Sequence, residues 1–320
     1  MTTKRMINTE KLNELLFIDH TDFINADLKS AVFNERSLVN TNFQKANLEL
    51  ADFSRATKLQ NVNFEQANLS KANLRGYNAR YPKSYLDLST CDFKQANLKG
   101  ALYDLHTKFP SGFDPQAAGA YLITAGVSLT NKDLSYANLS NAHLSGANLR
   151  GANLTGTRLH SANLNGADLS EATIIYEKGS WDGDLYSNVH LEGAILRRAT
   201  IIGIKPGNTC MYLDGIDLSE AKISDCAFTY CDMNGANLTN LKLDGVDFNS
   251  AKLRGANFAN SSLRGCNFSS ADLRGANFDN SDLSGAILSC SNLTNTDLSK
   301  VNLNGVKMHQ ARLDGTKLPI

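Results

Sequence analysis

Every fifth residue from Leu213 to Leu318 is Leu, Ile, Phe or Met, without exception. A period of five fits neither the 3.6-residue α-helix nor the 2-residue alternation of a long strand. A chain with this rhythm must repeat a short extended segment followed by a corner. The same rhythm runs from Leu134 to Ile174. It also runs from Phe23 to Phe53, slips by one residue at Leu59, and continues at Phe64, Leu69 and Leu74. Two places before the apolar centre a small residue is usual, as at Ala236, Ala251, Ala256, Ala271 and Ala276; the residue between is mostly Asn or Asp. In an extended segment the centre and the residue two before it share one side. Both are apolar, so that side is the interior. Gly follows two places after the centre at Gly235, Gly245, Gly255, Gly265 and Gly275, where a bend that needs φ > 0 is expected.

Phenylalanine sets the number of sides. It occupies centres 228, 248, 258, 268 and 278, and also 23, 33, 43 and 53, so it recurs at multiples of ten. One turn of the coil therefore holds an even number of five-residue segments. Two walls enclose nothing, which makes four the smallest solution. Phe228, Phe248 and Phe268 then stack on one wall, and Phe258 and Phe278 on the wall opposite. Neighbouring coils lie about 4.8 Å apart, the usual strand spacing. Burying each inward Leu or Phe contributes roughly 1.5–3 kcal/mol against an ordering cost of about 1–2 kcal/mol per residue. A single coil cannot close its core, so neighbours stabilise one another.

The A(N/D)LXX pattern, written as ANLRG at 147–151, ANLTG at 152–156 and ANFDN at 276–280, resembles the pentapeptide-repeat family. The resemblance covers most of the chain. It implies an all-β fold, a right-handed quadrilateral β-helix. The segment Thr107–Pro115, with Ala118–Ala120, resembles an insert common in members from photosynthetic bacteria.

The rhythm breaks at 75–90, 104–127, 175–188 and 202–212. Thr9–Phe17 reads as a short helix, with Leu12, Leu15 and Leu16 at helical spacing and Thr9 as N-cap. The expected organisation is an N-terminal helical cap over 1–20, a first repeat block over 21–103, a connecting insert over 104–127 and a second block over 128–320. The last carries inserts at 175–188 and 202–212. The alternative to two stacked blocks is a loop decorating one continuous solenoid. The chain stops within a repeat at Lys317-Leu318-Pro319-Ile320, and no C-terminal helix matches the N-terminal one. The coil around Leu303, Met308, Leu313 and Leu318 is thus expected to be partly uncovered and available for end-to-end pairing of two chains.

Chemistry is sparse. His20, His106, His143, His160, His190 and His309 have no metal-ligand spacing, and Asp182-Gly183-Asp184 lacks the length and distal Glu of a calcium loop. Cys91, Cys210, Cys226, Cys231, Cys266 and Cys290 form no CxxC, and three of them replace the small inward Ala. No nucleophile elbow or phosphate loop is found. Neither a metal, a cofactor nor an enzymatic activity is expected. Arg254, Arg264 and Arg274 each follow a central Leu and read either as an anion-binding strip or as ordinary repeat surface.

Lys+Arg and Asp+Glu both number 32, which disfavours bulk attraction to nucleic acid or to anionic membrane. No signal-peptide run and no span of about 20 apolar residues occurs, so membrane insertion is not expected and the cytoplasm is the expected compartment. Trp181, the one tryptophan, lies in a polar insert with Tyr176 and Tyr186. With Tyr212 these residues form the candidate interaction patch, since exposed aromatics favour interfaces. The expected function is a non-catalytic, structural interaction module that presents a rigid surface to a protein partner the sequence does not identify. The resemblance also offers the DNA-mimicking, topoisomerase-protecting members of the family, but that role needs a strongly acidic surface.

Overall fold

Two extended residues around a polar one, then two turn residues, leave each wall room for a single Cα pairing between successive coils. The computed structural model of the chain shows this in Leu12 and residues 18–76, 85–176, 188–204 and 211–319, the residues it describes. Asp22 pairs with Asn42 and Asp27 with Asn47, each 20 residues on and parallel. The repeat is a β-helix solenoid of four five-residue walls per coil. Its pairing is mostly by isolated bridges and not by long strands, which corrects the plain all-β expectation. Where two or three residues align, named strands result: β1 (Leu86–Asp87), β2 (Leu102–Tyr103), β3 (Thr107–Lys108), β4 (Tyr121–Leu122), β5 (Thr173–Ile175), β6 (Thr200–Ile202) and β7 (Lys222–Ser224). All pair in parallel, β1 with β3, β2 with β4, and β5 with β6 and β6 with β7.

The chain forms two compact units, Met1–Thr124 and Ala125–Ile320. In the first unit Phe23, Phe33, Phe43, Phe53 and Phe64 are fully buried and the interval between coils changes with the sequence. It lengthens to 21 residues at Ser37–Lys58, where the slip before Leu59 falls, and to 29 at Asn63–Asp92, across the break at 75–90. Residues 104–124, expected as part of a connecting insert, form one more coil. Leu86 pairs with Thr107 and Leu102 with Tyr121. Phe113 stacks on Phe93 at 5.1 Å. A helical turn over Asp114–Ala120 replaces one wall, with Asp114 Oδ1 accepting from the amides of Gln116 (2.9 Å) and Ala117 (3.1 Å). The N-terminal helix expected over Thr9–Phe17 lies outside the described residues except for Leu12, which is buried in this core, so no capping helix is among the observed elements.

In the second unit Phe228, Phe248 and Phe268 stack at 5.4 and 4.9 Å, and Phe258 stacks on Phe278 at 5.1 Å. The two columns meet edge to face in the middle, Phe248 against Phe258 at 5.9 Å. Corners take the left-handed conformation whether or not they hold glycine: Tyr136 has φ +61 and Gly146 has φ +64. The inward residues of the last coil, Leu313 (37%) and Leu318 (44%), are exposed.

Side chains at the Asn/Asp position do two things. The Oδ1 accepts from the amide two residues on, as Asn63 does from Glu65 at 2.8 Å. An Asn also donates its Nδ2 to the Oδ1 one coil earlier. Asn47 donates to Asp27 (2.9 Å), Asn68 to Asn47 (3.1 Å) and Asn97 to Asn68 (2.9 Å).

Candidate functional site

Both irregularities of the first unit fall on the wall that carries Leu38, Leu59 and Leu88. The extra residue before Leu59 makes a bulge: the Thr57 amide reaches the Arg36 carbonyl (2.9 Å) while the Lys58 carbonyl accepts from Leu38 (2.8 Å), so two residues face one. One coil later the chain leaves at Gly76 and is described again from Tyr85. Gly76 admits no side chain, since a Cβ there would lie 2.1 Å from the His106 carbonyl oxygen. Its amide donates to Asp104 Oδ1 at 2.9 Å. Beside it Arg75 is buried, with its Nε donating to Asn73 Oδ1 at 3.0 Å. Burial lowers the Arg75 pKa, and the Asp52 and Asp104 carboxylates act against that.

Between these irregularities the ladder opens. Strand β1 bonds onward, Leu86 to His106 (2.9 Å) and Leu88 to Lys108 (2.7 Å). The two bonds that would pair Lys58 with Asp87, from the Leu59 amide to the Asp87 carbonyl and from the Asp87 amide to the Thr57 carbonyl, are not made among the described residues. A cleft of about 860 Å³ lies here, lined by Arg55, Thr57, Lys58, Leu59, Leu86 and Asp87, among others. It is pinned where the Asn61 amide donates to Thr90 Oγ1 (2.9 Å) and where the Cys91 thiol meets the Leu59 carbonyl (3.6 Å). Burial pushes the Cys91 thiol up to about 12. The Arg55–Glu35 ion pair (2.8 Å) and Tyr85, 66% exposed, stand at the rim. Asp87 is held by Lys108 at 3.5 Å, whereas Lys58 is exposed and has no acidic partner among the described residues.

The cleft was not among the residues singled out in the sequence, although its two causes, the slip and the break, are both visible there. Of the aromatic patch, Trp181 and Tyr186 lie outside the described residues. Tyr176 is half-buried at the end of β5, where its Cβ and carbonyl would lie 3.3 Å from a Cβ on Gly203. Tyr212 stands on a different wall, its ring stacked on His190 at 4.6 Å. The segments 177–187 and 205–210 leave from one wall, the β5–β6–β7 ladder, and rejoin on another, where His190 pairs with Tyr212. The core behind them holds an apolar void of about 30 Å³ against Leu159, Ile204 and Phe228, too small and too dry for a polar ligand.

Two of the three arginines of the strip are neutralised in place. Arg264 bonds Asp282 and Arg274 bonds Asp272, both at 2.6 Å. Among the described residues no group of three His, Cys, Asp or Glu side chains could hold a metal ion, and no helix is long and apolar enough to cross a membrane.

Comparison with known proteins follows the same periodicity. The model described as pentapeptide repeats matches 8 copies over residues 19–55, 55–80, 133–173 and 291–318, and that of the pentapeptide repeat region matches 208–278. Together the matches span more than half of the chain. The chain belongs to the pentapeptide repeat family. No curated protein matches it. Among solved structures, the pentapeptide repeat protein Rfr23 from the cyanobacterium Cyanothece 51142 is 21% identical over 37% of this chain and 90% of its own, with a TM-score of 0.30. HetL, a pentapeptide repeat protein involved in heterocyst differentiation regulation in the cyanobacterium Nostoc sp. strain PCC 7120, is 20% identical over 98% of each chain, with a TM-score of 0.19. QnrB1, a plasmid-mediated fluoroquinolone resistance protein, is 18% identical over 92% of this chain and 89% of its own, with a TM-score of 0.23. At such TM-scores these likenesses carry no weight; the assignment rests on the family match and the four-walled coil.

Proposed function

We propose that this pentapeptide-repeat chain is a non-catalytic interaction module that presents its rigid walls, and the few places where they open, to a protein partner. The observation that carries this reading is the open ladder at Lys58 and Asp87, a preformed cleft whose backbone groups lack their ladder partners among the described residues. The two walls that flank 177–187 and 205–210 are the second proposed surface, with Tyr176 on one, Tyr212 on the other, and Trp181 and Tyr186 between them in the sequence. The DNA-mimicking alternative is the weaker reading. Outward carboxylates pair with cations one coil away, Asp232 with Lys252 (2.9 Å) and Asp297 with Lys317 (2.9 Å), and such pairs interrupt the negative charge that a DNA mimic needs. The cytoplasm is the compartment we propose, in keeping with the free thiols of Cys91, Cys226, Cys231, Cys266 and Cys290.

Immobilised full-length chain should retain a reproducible set of proteins from native extract, and the purified chain should leave topoisomerase-catalysed supercoiling unchanged. Retention of nothing specific would remove the interaction reading. Protection of a topoisomerase would favour the mimic.

A further inference from the structure

The cleft on the Leu59 wall has a chemistry of its own, and its assignment rests on the interaction role proposed for the chain. Its floor offers the ends of two parallel backbone edges. The Leu59 amide and the Asp87 amide and carbonyl lack the ladder bonds that their counterparts make on other walls, such as Phe23 to Asn42 (2.7 Å) and Asn42 to Thr21 (2.9 Å). A buried or half-buried peptide group without a partner is costly, and another backbone satisfies it best. An extended peptide carries amides and carbonyls on both of its edges, which is what two facing open edges require.

The side chains narrow the occupant further. On this wall the outward column reads Ser37, Lys58, the opening, Asp87 and Lys108. Lys108 already serves Asp87 at 3.5 Å, which leaves Lys58 as the cation without a counter-charge among the described residues. The inward lining is aliphatic, with Leu59 (4% exposed) and Leu86 (3%) on its two sides. A strand entering here would place one side chain outward beside Lys58 and its two neighbours inward against those leucines. The volume, about 860 Å³, lies within the range of pockets that bury ligands of this size.

We propose that the cleft takes an extended peptide of a partner protein, with an acidic residue flanked by small or aliphatic ones, added as a strand to the open edges at Leu59 and Asp87. The peptide thus has the pattern of the repeat's own wall, and it enters beside the bulge at Thr57–Lys58, where Lys58 and Asp87 do not pair.

Two measurements on the full chain test this. The first is amide hydrogen exchange. In the chain alone, Leu59 and Asp87 should exchange fast, while Leu38 and Leu88, bonded at 2.8 and 2.7 Å, are protected. Protection of Leu59 and Asp87 without added peptide would mean that the chain's own residues fill the cleft, and the proposal would fall. The second uses a fluorescein-labelled peptide, Gly-Ala-Asp-Leu-Thr-Gly. Its anisotropy should rise saturably with the wild-type chain and slow exchange at Leu59 and Asp87. Lys58→Glu should weaken binding at least about tenfold, and the peptide with Lys in place of Asp should recover it on that variant, as expected for a reversed charge pair. N-methylation of the Asp and Leu amides should abolish binding. No saturation at millimolar peptide, or equal binding by both charge versions, would overturn the proposal. If Lys58→Glu still captures every protein that the wild-type chain captures from extract, the cleft is not the contact, while the interaction reading stands.

Discussion

At the scale of single residues, the Asn/Asp position gives each wall a direction. Asn can donate to the coil before it and Asp cannot, so Asp is suited to the foot of a ladder. Asp27, Asp133, Asp217 and Asp247 each accept from the Asn one coil on, Asn47, Asn153, Asn237 and Asn267, at 2.9–3.3 Å. Asn68→Asp should therefore cost about 1–2 kcal/mol, because it removes a donor and sets two acceptors against each other. Asp27→Asn, which keeps its acceptor, should stay within about 0.5 kcal/mol. Urea unfolding of both variants checks this; equal effects would show that the ladder has no direction. The thiols give a second test. Burial pushes Cys91 and Cys266 up to about 12 from an ordinary 9.0, and Cys226 upward as well, so these thiols stay protonated and inert at pH 8. Cys290 is exposed. Iodoacetamide at pH 8 should modify Cys290 in the folded chain and reach Cys91 and Cys266 only on unfolding. Because their folded pKa values are raised, the stability that these thiols contribute is fully present below pH 9 and is lost as the pH rises toward 12.

At the scale of the wall, the phenylalanine columns act as continuous elements. Phe248 touches Phe228 and Phe268 face to face and Phe258 edge to face, and it is fully buried. Phe248→Ala should cost roughly 3–5 kcal/mol, the usual range for a truncated core Phe. A thermal melt unchanged from wild type would contradict the stacked register. The walls themselves were legible in the sequence, because a five-residue period and phenylalanines spaced by tens leave four walls as the smallest closed solution. The last coil of the first unit was not. Phe109 and Phe113 are spaced by four, and a helical turn over Asp114–Ala120 takes the place of one wall, so the apolar beat is lost although the pairing continues at β3 and β4. The cleft was legible only in part. The slip before Leu59 and the break after Leu74 can both be read from the sequence. That they meet on one wall requires the register, 21 residues from Ser37 to Lys58 and 29 from Asn63 to Asp92.

At the scale of the molecule, function is expected where the repeat is interrupted, because the regular walls spend their backbone groups on one another and their charges on the next coil. Leu313 and Leu318 are exposed where their counterparts Leu293 and Leu298 are fully buried. The proposed aromatic surface is checked by Trp181→Ala, which should lose partners that Lys58→Glu keeps. The central claim, that openings of the ladder and not its closed walls bind the partner, comes down to one comparison by quantitative mass spectrometry. Proteins captured from native extract by the wild-type chain are compared with those captured by Lys58→Glu and by a variant whose closed walls are neutralised at Lys252, Arg264 and Arg274. The account predicts that Lys58→Glu loses at least one partner and that the neutralised variant keeps them all. Loss of partners by the neutralised variant, with Lys58→Glu unchanged, would contradict it.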